Sequence, residues 1–144
     1  MGDAWKGQTV LVTGANRGIG LGICMHLSAK GATIVAVVRS SSPKLDAVAL
    51  NGGKIIEGID MMDDDCSDKL KAALGDMTLD CVLANAGVLH RDESVLNMDF
   101  DLARKTYEIN ALGPLKVVRG TAHAIKDNTG RIFVMTSLMG SIGS

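Results

Sequence analysis

The sequence predicts an α/β fold, a doubly wound parallel sheet of about five strands, on three observations. Short apolar runs recur at residues 9–12, 33–38, 54–59, 80–84 and 131–137. They are continuous rather than alternating, as strands covered on both faces are. Helical patterns separate them, which suits parallel strands joined by right-handed crossovers. The first run leads straight into three closely spaced glycines, Gly14, Gly18 and Gly20, followed by another helical pattern.

Each element has a local reason. The first helix is expected through Ile23, Met25, Leu27 and Ala29, with Gly31 closing it. The β-branched second run ends at Arg39. Ser40-Ser41-Ser42-Pro43 then caps a short helix through Leu45, Val48, Ala49 and Leu50, ended by Asn51-Gly52-Gly53. After the third strand the acidic run from Asp60 to Asp65 precedes a helix through Leu70, Ala73 and Leu74, with Ser67 or Asp65 as its cap. The fourth strand runs into Asn85-Ala86-Gly87. The longest helical pattern starts near Asp99 and carries Phe100, Ala103, Tyr107 and Ile109. At Pro114 it either kinks or restarts, then resumes through Leu115, Val118, Ala122 and Ile125. After the fifth strand, residues 138–144 read as a glycine-rich loop.

Bulk properties narrow the function. The 144 residues accommodate one domain, 1–144, and 47% of them are apolar. A net charge of -1 offers no field for nucleic acid or an anionic membrane, so a small-molecule partner is expected. Cys24, Cys66 and Cys81 are odd in number and widely spaced, which argues against a disulfide framework or a zinc site; reduced thiols are expected. Asp63, Asp64 and Asp65 have no second cluster to complete a metal site, so no metal is assigned. The N-terminus lacks a basic segment followed by an apolar run, and no stretch is long enough to span a bilayer; a cytoplasmic protein is expected.

The glycine turn carries the chemistry. A strand, a glycine turn and a helix present free amides to an anion, with no Cβ in the way of a pyrophosphate; this is the Rossmann arrangement. Dinucleotide sites commonly end the second strand in a carboxylate for the ribose 2′-hydroxyl. Here Val38 and Arg39 stand at that place, so a guanidinium replaces the carboxylate and favours a 2′-phosphate. Arg17, inside the turn, approaches from the other side. NADP(H) is therefore expected over NAD(H).

Taken with its companions, the segment from Thr13 to Gly20 resembles the classical short-chain dehydrogenase/reductase family. Its Thr-Gly-x-x-x-Gly-x-Gly spacing is similar to the family's, and Asn85-Ala86-Gly87 resembles the family's Asn-Asn-Ala-Gly with Ala84 in place of the first Asn. The segment from Leu138 to Gly143 is similar to the C-factor and Sniffer-like carbonyl reductase branch. The resemblance implies a cofactor site at Gly14, Asn16, Arg17, Gly18, Ile19, Gly20, Arg39, Asp60, Met61, Asn85, Ala86 and Gly87. Asp60 would contact the adenine beside the Met61 backbone. It also implies Ser137 as the catalytic serine and Asn110 as the helix asparagine of a proton relay, holding a water or a backbone carbonyl. The implied activity is hydride transfer between NADP(H) and a carbonyl or alcohol, in a homo-oligomer built through the long helix.

One departure stands out. The family's proton donor is a tyrosine followed four residues later by a lysine, and the only tyrosine here is Tyr107, with Ala111 four residues on. Tyr107 is read as a packing residue, and His26, His90 and His123 as isolated. The 144 residues alone are accordingly expected to lack reductase activity. Two function classes follow: an NADP(H)-dependent oxidoreductase represented by its cofactor-binding portion, or a non-catalytic nucleotide-binding or regulatory module, including a subunit completed by another chain. If the chain ends at Ser144, the fifth strand is expected to be an uncovered edge. Residues 88–94, with His90 and Arg91, are expected either at the entrance to the substrate site or simply exposed.

Overall fold

The apolar runs become strands because neighbouring residues bury opposite faces of one sheet. In the computed structural model, which describes residues 4–90 and 94–143, the strands are β1 (Thr9–Thr13), β2 (Thr33–Val37), β3 (Lys54–Ile56), β4 (Cys81–Ala84) and β5 (Arg131–Val134). All are parallel, in the order β3-β2-β1-β4-β5. Val10, Val12, Ile34, Ala36 and Cys81 face helix α1 (Gly18–Ala29) and Leu45 of the short α2 (Pro43–Asp46). Leu11, Val35, Val37 and Val82 face α3 (Cys66–Leu74) and α5 (Gly113–Thr121). This is the doubly wound sheet that the sequence predicts, with β1 and β4 flanking the point where strand order reverses.

Several elements differ from expectation for local reasons. The core face of α1 is Gly20, Leu21, Cys24 and Leu27; Met25 is exposed, because helix geometry buries every third or fourth residue rather than alternate ones. Likewise α5 buries Gly113, Val117, Gly120 and Thr121 while Leu115 is exposed. Helix α2 stops at Asp46, and β3 stops at Ile56 just before Gly58 turns left-handed at φ 77°. Neither proposed side chain caps α3. Asp65 pairs with Lys69 at 3.0 Å instead, and the Ser67 hydroxyl donates to the Lys116 carbonyl at 2.9 Å. Tyr107 is 62% exposed on α4 (Phe100–Tyr107), which has no fully buried residue, so its packing role is withdrawn. Residues 138–140 form a 3₁₀ turn rather than open loop.

Pro114 lies in the first turn of α5, so the helix restarts there, one of the two outcomes expected. Between α4 and α5 a π turn, Glu108–Leu112, takes up the break, with the Gly113 N–H returning to the Glu108 carbonyl. Proline has no N–H to offer the carbonyl of Asn110 four residues back, and the wider turn spreads that deficit. Beyond β4 the packing thins: Ile132, Phe133 and Val134 of β5 are each roughly half exposed. Among the described residues no helix is long and apolar enough to cross a membrane.

Candidate functional site

At the carboxyl ends of β1 and β4 the chain turns away on both sides, opening a cleft of about 500 Å³. The floor is built by Thr13. Its hydroxyl is wholly buried and accepts the N–H groups of both Asn85 and Ala86 at 3.0 Å, while Asn85 Nδ2 donates to the Thr13 carbonyl at 3.0 Å. These bonds lock the glycine turn to the segment after β4.

The three glycines have separate reasons. Gly14 has φ 67°, and a Cβ there would lie 2.9 Å from the Ala86 Cα. Gly20 permits the closest approach: its Cβ would fall 2.2 Å from the Gly14 carbonyl oxygen and 2.6 Å from Asn85 Nδ2. Gly18, at φ 55°, faces open space on the cleft side. It starts α1, whose first-turn amides have no partner within the helix and which carries no acidic residue in that turn. A phosphate group fits this cradle by both shape and charge. Ser42 steadies the turn from behind by donating to the Asn16 carbonyl at 2.7 Å while capping α2.

All the cofactor positions expected from the sequence line this one cleft: Gly14, Asn16, Arg17, Gly18, Ile19, Gly20, Arg39, Asp60, Met61, Asn85, Ala86 and Gly87. Arg17 is exposed and makes no ion pair among the described residues. Arg39 Nη1 stands 4.0 Å from Asp60 Oδ2, beyond hydrogen-bonding reach, with the Arg39 side chain 66% exposed. Asp60 Oδ1 accepts the Met62 N–H at 2.9 Å and shapes the turn after β3.

The two catalytic candidates lie outside that lining. Both polar atoms of the Asn110 side chain are spent on Val88: Oδ1 accepts its N–H at 2.9 Å and Nδ2 donates to its carbonyl at 2.7 Å. Of the partners expected for it, the side chain thus holds a backbone carbonyl. Ser137 lies three residues beyond β5 with its hydroxyl exposed and unbonded among the described residues. Val88 and His90 of the 88–94 segment line this same cleft, His90 as an exposed residue, whereas Arg91 lies outside the described residues. Lys105 and Ile109 also line it, and sequence reasoning missed both roles. A lone lysine on a surface helix gives no signal to distinguish it from a solvated charge.

The three cysteines are buried free thiols. Burial pushes Cys24 up to about 11 and raises Cys66 and Cys81 as well, so none offers a thiolate at neutral pH. Among the described residues no group of three or more His, Cys, Asp or Glu side chains is placed to hold a metal.

Residues 8–144 match the family model described as short chain dehydrogenase. The chain belongs to the short-chain dehydrogenase family. It is 32% identical over 138 residues to 1-hydroxy-2-glutathionyl-2-methyl-3-butene dehydrogenase of Rhodococcus sp. (strain AD45), covering 94% of this chain and 59% of that protein. It is 30% identical over 149 residues to 3-oxoacyl-[acyl-carrier-protein] reductase of Synechocystis sp., covering 98% of this chain and 60% of that one. Among solved structures, a carbonyl reductase from Pseudomonas aeruginosa PAO1 in complex with NADP superposes with a TM-score of 0.83 at 30% identity. That likeness covers 94% of this chain and 63% of the reductase. The short-chain dehydrogenase chain described here thus spans about three fifths of the length of the relatives it matches.

Proposed function

We propose that the protein is an NADP(H)-dependent oxidoreductase of the short-chain family that transfers hydride between the nicotinamide and a carbonyl or alcohol carbon. The observation carrying this reading is the convergence in one cleft of the unpartnered amides of α1 with Arg39, placed where β2 ends without a carboxylate. In it, the turn from Gly14 to Gly20 holds the pyrophosphate. Arg39 and Arg17 take the 2′-phosphate, Asp60 and Met61 meet the adenine, and Asn85, Ala86 and Gly87 admit the nicotinamide ribose. The pairing of Arg39 with Asp60 is long enough to yield to a dianionic phosphate, which accepts bidentate hydrogen bonds that the aspartate does not make here.

A bound nicotinamide supplies or accepts the hydride. This chain's residues bind and orient, and Ser137 is assigned the hydrogen bond to the substrate oxygen. Asn110 keeps Val88 in place through its side-chain amide and is assigned the relay position. The proton donor is not among these assignments: the only tyrosine, Tyr107, is exposed on α4 and does not line the cofactor cleft. The 144 residues by themselves are therefore assigned cofactor binding without turnover, and carbonyl reduction by them would overturn that assignment.

The test is a titration with NADPH and NADH. Arg39→Asp should weaken NADPH by about a hundredfold, the scale of losing a charge-assisted bidentate contact and adding repulsion, while NADH changes severalfold at most. Equal loss for both would remove the 2′-phosphate assignment. Absence of binding to either would remove the nucleotide reading.

A further inference from the structure

We propose that Lys116, held by Glu108, is a positioning residue for the adenine end of the cofactor, an inference that rests on the nucleotide reading above. The Lys116 ammonium donates to the Met61 carbonyl at 2.8 Å, to the Asp63 carbonyl at 3.1 Å and to Glu108 Oε1 at 2.6 Å. Its side chain is only 15% exposed, and an ammonium so placed needs its donors satisfied and its charge matched. Glu108 matches the charge. The other two bonds go to backbone of the single turn that carries Asp60 and Met61.

That turn is otherwise fixed from within. The Met62 N–H reaches Asp60 Oδ1 and the Asp63 N–H reaches the Asp60 carbonyl, at 2.9 and 3.1 Å. Met61 is buried, its sulfur facing the Cys66 thiol at 3.8 Å and its side chain lying against Gly113. Once these bonds and the Lys116 clamp are made, the Met61 N–H has no hydrogen-bond partner among the described residues, and Asp60 Oδ2 has only the distant Arg39. Both residues line the cleft. A donor and an acceptor side by side complement the acceptor and the amino group on the edge of an adenine. Lys116 fixes the carbonyl of the same residue whose N–H is left to do this, and so sets where that pair points.

The register of the clamp depends on the π turn. On a straight α-helix, residues eight apart lie about 80° out of line, which would aim Glu108 and Lys116 in different directions. The turn at Glu108–Leu112 absorbs close to one extra residue and brings them onto one face.

The test uses the full-length protein, with adenosine 2′,5′-bisphosphate as probe of the adenine half and hydrogen exchange as probe of the scaffold. Lys116→Met should weaken the bisphosphate by about tenfold, the scale of a turn released from two charge-assisted bonds. Amides of residues 61–65 should exchange faster, and those of β1 and α1 should not. Lys116→Arg, which keeps the charge and the donors, should recover most of the affinity, and Glu108→Gln should fall between. These two variants also carry the test if Lys116→Met fails to fold. Unchanged bisphosphate affinity, or loss accompanied by equally faster exchange in β1 and α1, would overturn the clamp alone. A wild-type protein that does not bind the bisphosphate would overturn the nucleotide reading and the clamp with it.

Discussion

Thr13 and Ser137 are both hydroxyl residues at or just past the carboxyl ends of strands in one sheet, and they live in opposite surroundings. The Thr13 oxygen is wholly buried and accepts two backbone N–H groups, so both its lone pairs are spent on holding the cleft's two walls together. The Ser137 hydroxyl is exposed and makes no bond among the described residues, beside a strand whose Ile132, Phe133 and Val134 are each roughly half exposed. The β1–β4 junction is over-determined by contacts that all lie within this chain. The β5 flank is not, in a chain spanning about three fifths of the length of its relatives. A hydroxyl whose lone pairs both hold backbone builds a site; one left unbonded is available to a ligand.

The hardest blow to the over-determined side is Gly20→Ala. Its Cβ would meet the Gly14 carbonyl at 2.2 Å, and a backbone oxygen inside a locked turn cannot step aside. Overpacking of this kind should cost about 3 kcal/mol or more in denaturant unfolding and abolish nucleotide binding. Gly18→Ala meets nothing within 4 Å and pays only for its φ of 55°, about 1–2 kcal/mol, so it should lose binding in greater proportion than stability. If the two variants unfold alike, the separation between packing glycine and ligand-facing glycine fails.

Thr13→Val comes next. The isosteric change keeps the packing but leaves the Asn85 and Ala86 N–H groups without their acceptor, and each orphaned buried donor costs about 1–3 kcal/mol. Urea melts should show a loss of about 2–4 kcal/mol, with nucleotide affinity falling because both walls loosen. A loss below about 1 kcal/mol would mean that water replaces the hydroxyl.

At the opposite end of the sheet Asp80 tests whether rigidity is general. Oδ2 accepts the Thr9 N–H at 2.8 Å and Oδ1 the Lys126 ammonium at 2.6 Å. Desolvation pushes its pKa upward, but the bonds from Lys126 and Thr9 and the charges of Lys126 and Arg131 outweigh it and hold the carboxyl below its ordinary value. A carboxylate with a depressed folded pKa stabilises above its unfolded pKa, and the contribution is lost as pH falls through the folded value. Asp80→Asn should therefore cost about 1–2 kcal/mol at neutral pH, and the difference from wild type should shrink below about pH 4. Nucleotide affinity should not change, since Asp80 is remote from the cleft lining.

These effects also mark what the sequence discloses. The gathering of the glycine turn, Arg39, Asp60 and Asn85-Ala86-Gly87 around one cleft was legible because their positions depend on local chain geometry, which residue types dictate directly. Helix faces were less so: of the expected Ile23, Met25, Leu27 and Ala29, Leu27 is in the core of α1 and Ile23 packs against it, but Met25 and Ala29 are exposed, and Leu21 and Cys24 supply the rest. Thr13 was visible as a residue but not as a double acceptor, since its partners lie more than seventy positions away. Lys116 was invisible for a further reason. Its pairing with Glu108 runs across a π turn, which no periodicity in the sequence announces.

The smallest effect is the one that tests the comparison itself. Ser137→Ala removes a hydroxyl that holds nothing, so stability should change by less than about 0.5 kcal/mol and NADPH affinity by less than about twofold. In the full-length protein, turnover of a carbonyl substrate should nevertheless fall by about a hundredfold, because a donor aimed at the substrate oxygen acts mainly where charge develops in the transition state. A hydroxyl of structural value would show the reverse, lowering stability and leaving kcat intact. If Ser137→Ala lowers stability as Thr13→Val does, the serine is a second scaffold residue, and the distinction between a spent and an unspent hydroxyl on this sheet is lost.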